Sequence, residues 1–175
     1  FAGVTGWTAT GSANSAAGNV LSNTGDGTSA TPAVRLSLPT AFKVGHVMYY
    51  KLEARATNAA CSRIWTYPSS GFGGFGGGIN VDNPAVNVWH EITHGYVTPS
   101  YTTPNTILNF PILHTYADAA TANGKVMQVR WALILDLTDI FGAGNEPPLA
   151  EMNALLDKYP NRWVGTTPSS LLTID

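Results

Sequence analysis

The sequence predicts an all-β protein, a two-sheet antiparallel sandwich with one late α-helix packed against it. Three observations predict it. Short segments alternate apolar and polar residues with period two, Gly, Pro, Asn and Ser punctuate them, and a helical spacing of apolar residues develops near the end. A length of 175 residues suits a single domain spanning 1–175, with strands to about 135, a turn and helix over 136–160, and a C-terminal extension over 161–175.

Phe1 to Pro32 is dominated by Gly, Ala, Ser, Thr and Asn and reads as short edge strands and loops. Ala33 to Leu38 alternates Val34, Leu36 and Leu38 with Arg35 and Ser37, which predicts a strand with one buried face. His46 to Thr57 predicts a longer one. Its core face carries Met48, Tyr50, Leu52, Ala54 and Ala56, and its opposite face Val47, Tyr49, Lys51, Glu53 and Arg55. Ser62 to Tyr67 is an aromatic-rich strand ended by Pro68, and the glycine-rich stretch Gly71 to Gly78 is a surface loop. Val86 to Val97, Thr106 to Leu113 and Lys125 to Leu135 complete about seven or eight strands, with Asn123-Gly124 as a turn before the last. Leu149, Met152, Leu155, Leu156 and Tyr159 then recur at helical spacing. Asn145 is the expected cap, Pro147 and Pro148 suit the first turn, and Pro160 is the expected stop.

Composition excludes several functions. Charged residues are 11% of the chain, the formal net charge is -2 and no block of like charge occurs, so neither nucleic acid nor an anionic membrane is expected as a partner. No apolar run reaches the ~20 residues of a membrane span. The lone Cys61 forbids an internal disulfide and is expected as a small buried or half-buried side chain. A start at Phe1 is expected of a segment cut from a longer polypeptide.

His90-Glu91-Ile92-Thr93-His94 matches the H-E-x-x-H pattern of zinc proteases. That chemistry needs a helix, which stacks both imidazoles on one face a turn apart and brings the glutamate to the metal-bound water. The surroundings predict a strand instead. Pro84, Gly95 and Pro99 interrupt the region, and Val86, Val88, Trp89, Ile92, Thr93, Tyr96 and Val97 are β-branched or aromatic. In a strand the two histidines stand ~13 Å apart, too far to share a metal. His46 and His114 are expected at the surface or satisfied in the core, and Asp136 and Asp139 as turn and cap residues. No nucleophile elbow, phosphate-binding loop or thiol-protease context occurs, so no catalytic residue is assigned.

Leu135 to Pro147 (LDLTDIFGAGNEP), with the helix after it and Tyr159-Pro160-Asn161-Arg162-Trp163, resembles a signature of tail, baseplate and tail-fibre proteins of bacteriophages and prophages of Gram-positive bacteria. Phe1 to Trp7, Val47 to Ala56 and Val88 to Thr93 are similar to the opening and two strands of carbohydrate-binding modules. The strong part of the resemblance covers about a quarter of the chain. It implies a jelly-roll sandwich and an extracellular, virion-associated domain. Host cell-wall or capsule glycans are the usual ligands of that family, and other tail subunits or further copies of the chain its neighbours.

Sugar rings pack their apolar faces on aromatic side chains while short polar groups bond their hydroxyls. Tyr67, Phe72, Phe75 and Tyr101, near Asn80, Asp82 and Asn105, are therefore the expected ligand-binding residues. Alternatively those aromatics cover a sheet edge or a subunit interface in a purely structural tail module. A third reading is a zinc metallohydrolase using His90, Glu91 and His94. Trp7, Trp65, Trp89, Trp131 and Trp163 are expected in the core. No cofactor is expected. Such sandwiches can hold a structural calcium ion through loop carboxylates and carbonyls, although no EF-hand-like spacing occurs.

Overall fold

The computed structural model describes residues 6–18, 20–37, 43, 45–66, 79–97 and 109–158. They form two five-stranded antiparallel sheets. Sheet I has the order β1-β4-β9-β6-β7, with β1 (Trp7–Thr10), β4 (Ala33–Ser37), β9 (Asn109–Thr115), β6 (Arg63–Thr66) and β7 (Ile79–Asp82). Sheet II has the order β2-β3-β10-β5-β8, with β2 (Ser12–Ala17), β3 (Val20–Gly25), β10 (Val126–Asp136), β5 (Val47–Ala56) and β8 (His90–Val97).

The described residues form ten strands where seven or eight were expected. The additional ones come from segments of small and polar residues, where β1 to β3 have little apolar content to announce them and gain their order from the ladders they join. Gly11 alone separates β1 in sheet I from β2 in sheet II. Its φ of 62° lets the chain change sheets, and a Cβ there would collide with the Ser29 side chain.

The inter-sheet core follows the period-two reading. Met48, Tyr50, Leu52, Ala54 and Ala56 of β5 pack with Leu21, Val34, Ile64, Ile92, Ile112, Met127 and Val129. Cys61 is buried beside them. Asn23 and His114 are also fully buried, joined by a hydrogen bond that links the two sheets.

Among the described residues three helices are present where one was expected. Helix α1 (Ala119–Ala122) is a single turn capped by Asp118, and α2 (Leu137–Phe141) is capped by Asp136, whose carboxylate accepts from the Asp139 amide. Both are too short to show a helical period, so their caps were their main sequence signal. Helix α3 (Leu149–Asp157) starts at Pro148 with no side-chain cap, which corrects Asn145 as the cap. Pro148 has no side-chain acceptor to offer the first-turn amides, and its carbonyl takes the first helical bond, from the Met152 amide at 3.0 Å. Tyr159 and Pro160 lie outside the described residues.

Helices α2 and α3 cover half of the outer face of sheet II. Leu137, Met152 and Leu156 bury Tyr49, with Leu133, Leu135, Phe141 and Leu155 around them. Lys51 lies under α3 as well, its ammonium 2.9 Å from Asp157 and 3.3 Å from Glu91. Residues 48–52 of β5 are consequently buried on both faces, whereas 53–56 alternate.

The LDLTDIFGAGNEP segment ties this arrangement together. The Thr138 hydroxyl accepts from the Val47 amide at 2.9 Å and donates to Glu146 at 2.6 Å. The other Glu146 oxygen accepts from the amide of Gly144, a residue with φ 82°. These bonds, that to Thr138 first, hold the Glu146 carboxyl below its usual pKa.

Candidate functional site

Along β6 the Ile64 and Thr66 side chains are fully buried toward the core, so Trp65 and Arg63 stand on the outer face of sheet I. Register then defines that face. Trp65 lies between Leu113 of β9 and Asn80 of β7, and Arg63 between Thr115 and Asp82. Further across, Arg35 of β4 faces Pro111 of β9 on one side and Thr8 of β1 on the other. Pro111 and Leu113 form a buried apolar floor, Trp65 is half-buried, and Arg63, Asn80 and Asp82 are exposed at the rim.

Fixed polar contacts hold these side chains. The Arg63 guanidinium donates to Asp82 at 2.6 Å, the Trp65 indole N–H to the Thr115 hydroxyl at 2.9 Å, and Arg35 to the Thr10 hydroxyl at 3.2 Å. An indole face beside a guanidinium, a carboxylate and an amide offers apolar stacking together with directional donors and acceptors.

Of the residues expected to bind ligand, Asn80 and Asp82 share this face and flank Trp65 and Arg63. Tyr67, Phe72, Phe75, Tyr101 and Asn105 lie outside the described residues. Trp65 was misread as core. The signal was available, because an inward Ile64 forces its neighbour outward in a strand.

Two more tryptophans are corrected. Trp89 and Trp131 are half-buried on the outer face of sheet II, where Trp131 pairs with Glu53 and donates its indole N–H to that carboxylate at 2.8 Å. Trp7 does pack against the core. Trp163 lies outside the described residues.

The HEITH segment is strand β8, which begins at His90 rather than Val86; Val86 and Val88 sit in an exposed turn, with Asn87 at φ 62°. His90 pairs with Ala54 and His94 with Tyr50, both on the core side of the sheet, whereas Glu91 points to the outer side and meets Lys51. The three polar residues of the pattern therefore face opposite ways. The His94 ring lies 5.6 Å from the Tyr50 ring, and burial lowers its pKa. His90 Nε2 is buried without a hydrogen-bond partner among the described residues.

The residues best suited to hold a metal are His46, Asp136 and Asp139, whose donor atoms lie within 4.8 Å of one another. His46 Nδ1 is 2.9 Å from both Asp136 oxygens and 3.6 Å from Asp139. Lys43 forms an ion pair with Asp139 and lowers its pKa, so an ammonium already occupies this carboxylate. Calcium takes six to eight oxygens, more than two carboxylates supply. The cluster acts as a polar clamp joining the start of β5 to the cap of α2.

The solved structures that share this architecture include two with TM-scores above 0.5. One is the carbohydrate-binding module described as CBM4, matched over 75% of this chain and 95% of that one at 13% identity, with a TM-score of 0.52. The fold is that of a carbohydrate-binding-module jelly roll. The other is an arabinose-bound α-L-arabinofuranosidase, MgGH51, matched over 75% of this chain at 10% identity with a TM-score of 0.53. The match spans 23% of that enzyme's length. No protein-family model matches the chain, and no curated protein sequence does. Among the described residues no helix is long and apolar enough to cross a membrane.

Proposed function

We propose that this chain is a non-catalytic domain of a phage tail that binds host cell-wall or capsule carbohydrate on the outer face of sheet I. The observation that carries the reading is the outward placement of Trp65 between Asn80 and Leu113, with the Arg63–Asp82 pair beside it. Residues of these types recognise a sugar by stacking its apolar face and bonding its hydroxyls, and a flat sheet face suits a chain of sugars better than a closed pocket does. The shared fold with a carbohydrate-binding module supports the ligand class.

The virion setting rests on the LDLTDIFGAGNEP resemblance. In the structure that segment is an architectural latch, so its role is to close the domain rather than to touch ligand. Tyr67, Phe72 and Phe75 fall in sequence between β6 and β7, and Tyr101 and Asn105 between β8 and β9; in this reading they take part in binding the ligand as well.

Affinity electrophoresis against neutral polysaccharides tests the proposal. Retardation by at least one polymer, lost on Trp65→Ala with the melting transition intact, is the expected result. Retardation by none would favour a purely structural tail module.

A further inference from the structure

The outer face of sheet II is covered by α2 and α3 at one end and open at the other, from Glu53 onward. Across the open half runs a connected row of side chains. Gln128 of β10 donates to the Ser22 hydroxyl of β3 at 3.2 Å and accepts from Arg55 Nε of β5 at 2.8 Å. The Arg55 guanidinium lies over the Trp89 ring, 4.6 Å from its centroid, and that of Arg130 lies 5.0 Å from the same ring. Arg130 forms an ion pair with Glu53, which also accepts from Trp131.

This placement of Arg130 depends on an irregularity. The β10–β5 register shifts between Val129 and Trp131, and such a bulge re-aims the side chain it carries. Two guanidiniums thus meet at one indole, with Glu53 paired to Arg130, while Glu91, opposite Glu53 on the same face, is engaged by Lys51. Each arginine is anchored through Nε. Among the described residues the Nη groups of Arg130 and Nη2 of Arg55 have no protein partner. A guanidinium stacked on an aromatic ring is held rigid, and its free N–H edge matches a carboxylate or phosphate in bidentate fashion. Beside it, Ser15 and Ser22 are opposite one another in register and present short side chains, which leave a flat approach for an extended polymer.

We propose that this half-face, centred on Arg55, Trp89 and Arg130, is a second binding surface, for glycans that carry carboxylate or phosphate groups. The inference builds on the reading of the domain as a carbohydrate binder, but it places an acidic ligand on the opposite sheet from the Trp65 face. Pre-held side chains lose little freedom when the oxyanion docks.

Affinity electrophoresis in gels containing polygalacturonate, poly(glycerol phosphate) or a neutral β-glucan tests it. The wild-type protein is retarded by at least one acidic polymer, and which of the two does so identifies the oxyanion. Arg55→Gln with Arg130→Gln weakens that retention about tenfold or more, while Trp65→Ala leaves it unchanged. Arg55→Lys with Arg130→Lys, which keeps both charges and the Glu53 pair but removes the fork, gives a similar loss and serves if the glutamine variant does not fold. Absence of acidic retention, retention indifferent to both arginine variants, or retention lost on Trp65→Ala would overturn the proposal. Neutral-glycan binding through Trp65 would survive each of these outcomes, so the two surfaces fail separately.

Discussion

His114 Nε2 lies 2.8 Å from Asn23 Oδ1 in the middle of the sandwich, so one hydrogen bond joins β9 of sheet I to β3 of sheet II. The neighbours fix every proton. Asn23 Nδ2 donates to Ser12 at 2.7 Å and Asn14 at 2.8 Å, so its oxygen faces His114, and Nε2 must carry the hydrogen. Nδ1 is then the acceptor for the Tyr116 hydroxyl at 2.8 Å.

This network makes stability depend on acid. Burial lowers the His114 pKa to about 3 from its ordinary 6.5. A neutral buried histidine contributes its full stability above pH 6.5 and loses it as pH falls toward 3, because the unfolded chain takes up the proton first. At ~1.4 kcal/mol per pH unit, the fall from pH 6.5 to 4.5 costs about 2–3 kcal/mol, or roughly 5–10 °C in melting temperature for a domain of this size. Thermal melts from pH 4 to 8 should show this slope in the wild type and a flatter one in His114→Gln. Equal slopes would assign the acid sensitivity to other groups.

Two apolar residues of the latch segment carry very different weight. Leu137 is 1% exposed against Tyr49, Met152 and Leu156, whereas Ile140 is 37% exposed. Leu137→Ala should cost about 2–5 kcal/mol in denaturant unfolding. Ile140→Ala should change it by roughly 0.5 kcal/mol or less. Similar values for the two would mean that α2 does not dock on sheet II through Leu137.

Strand geometry at HEITH predicts indifference to zinc. Dialysis against a chelator followed by zinc addition should leave the melting temperature unchanged, and Glu91→Gln should do no more than weaken a partly exposed ion pair with Lys51. Zinc-dependent stabilisation that disappears in His90→Ala and His94→Ala would contradict the placement of those imidazoles.

What was legible in the sequence tracks how strongly one face of a segment is buried. Val34, Met48 and Leu52 fall on the apolar face of a period-two segment and were placed correctly, as was Asp136 at the cap of α2. The Trp89 and Trp131 misreading has a definite cause. Size and apolarity suggest burial for any tryptophan, but the sheet face is set by register, and a bulge at Arg130 shifts the register of β10. The double burial of Tyr49 was equally invisible, since it depends on where α2 and α3 return to the sheet. For the site, Asn80 and Asp82 were reachable from loop composition. Arg63 and Trp65 required knowing which residues β6 pairs with.

The central claim is that neutral carbohydrate meets the protein at Trp65. Two-dimensional nitrogen–proton NMR of the labelled protein, titrated with an oligosaccharide from the retained polymer, tests it most directly. The account predicts that the Trp65 indole N–H and the amides of Arg63, Asn80 and Asp82 shift in a saturable way, while the Trp89 and Trp131 indoles stay in place. Saturable shifts confined to sheet II, with the Trp65 indole unmoved, would contradict it.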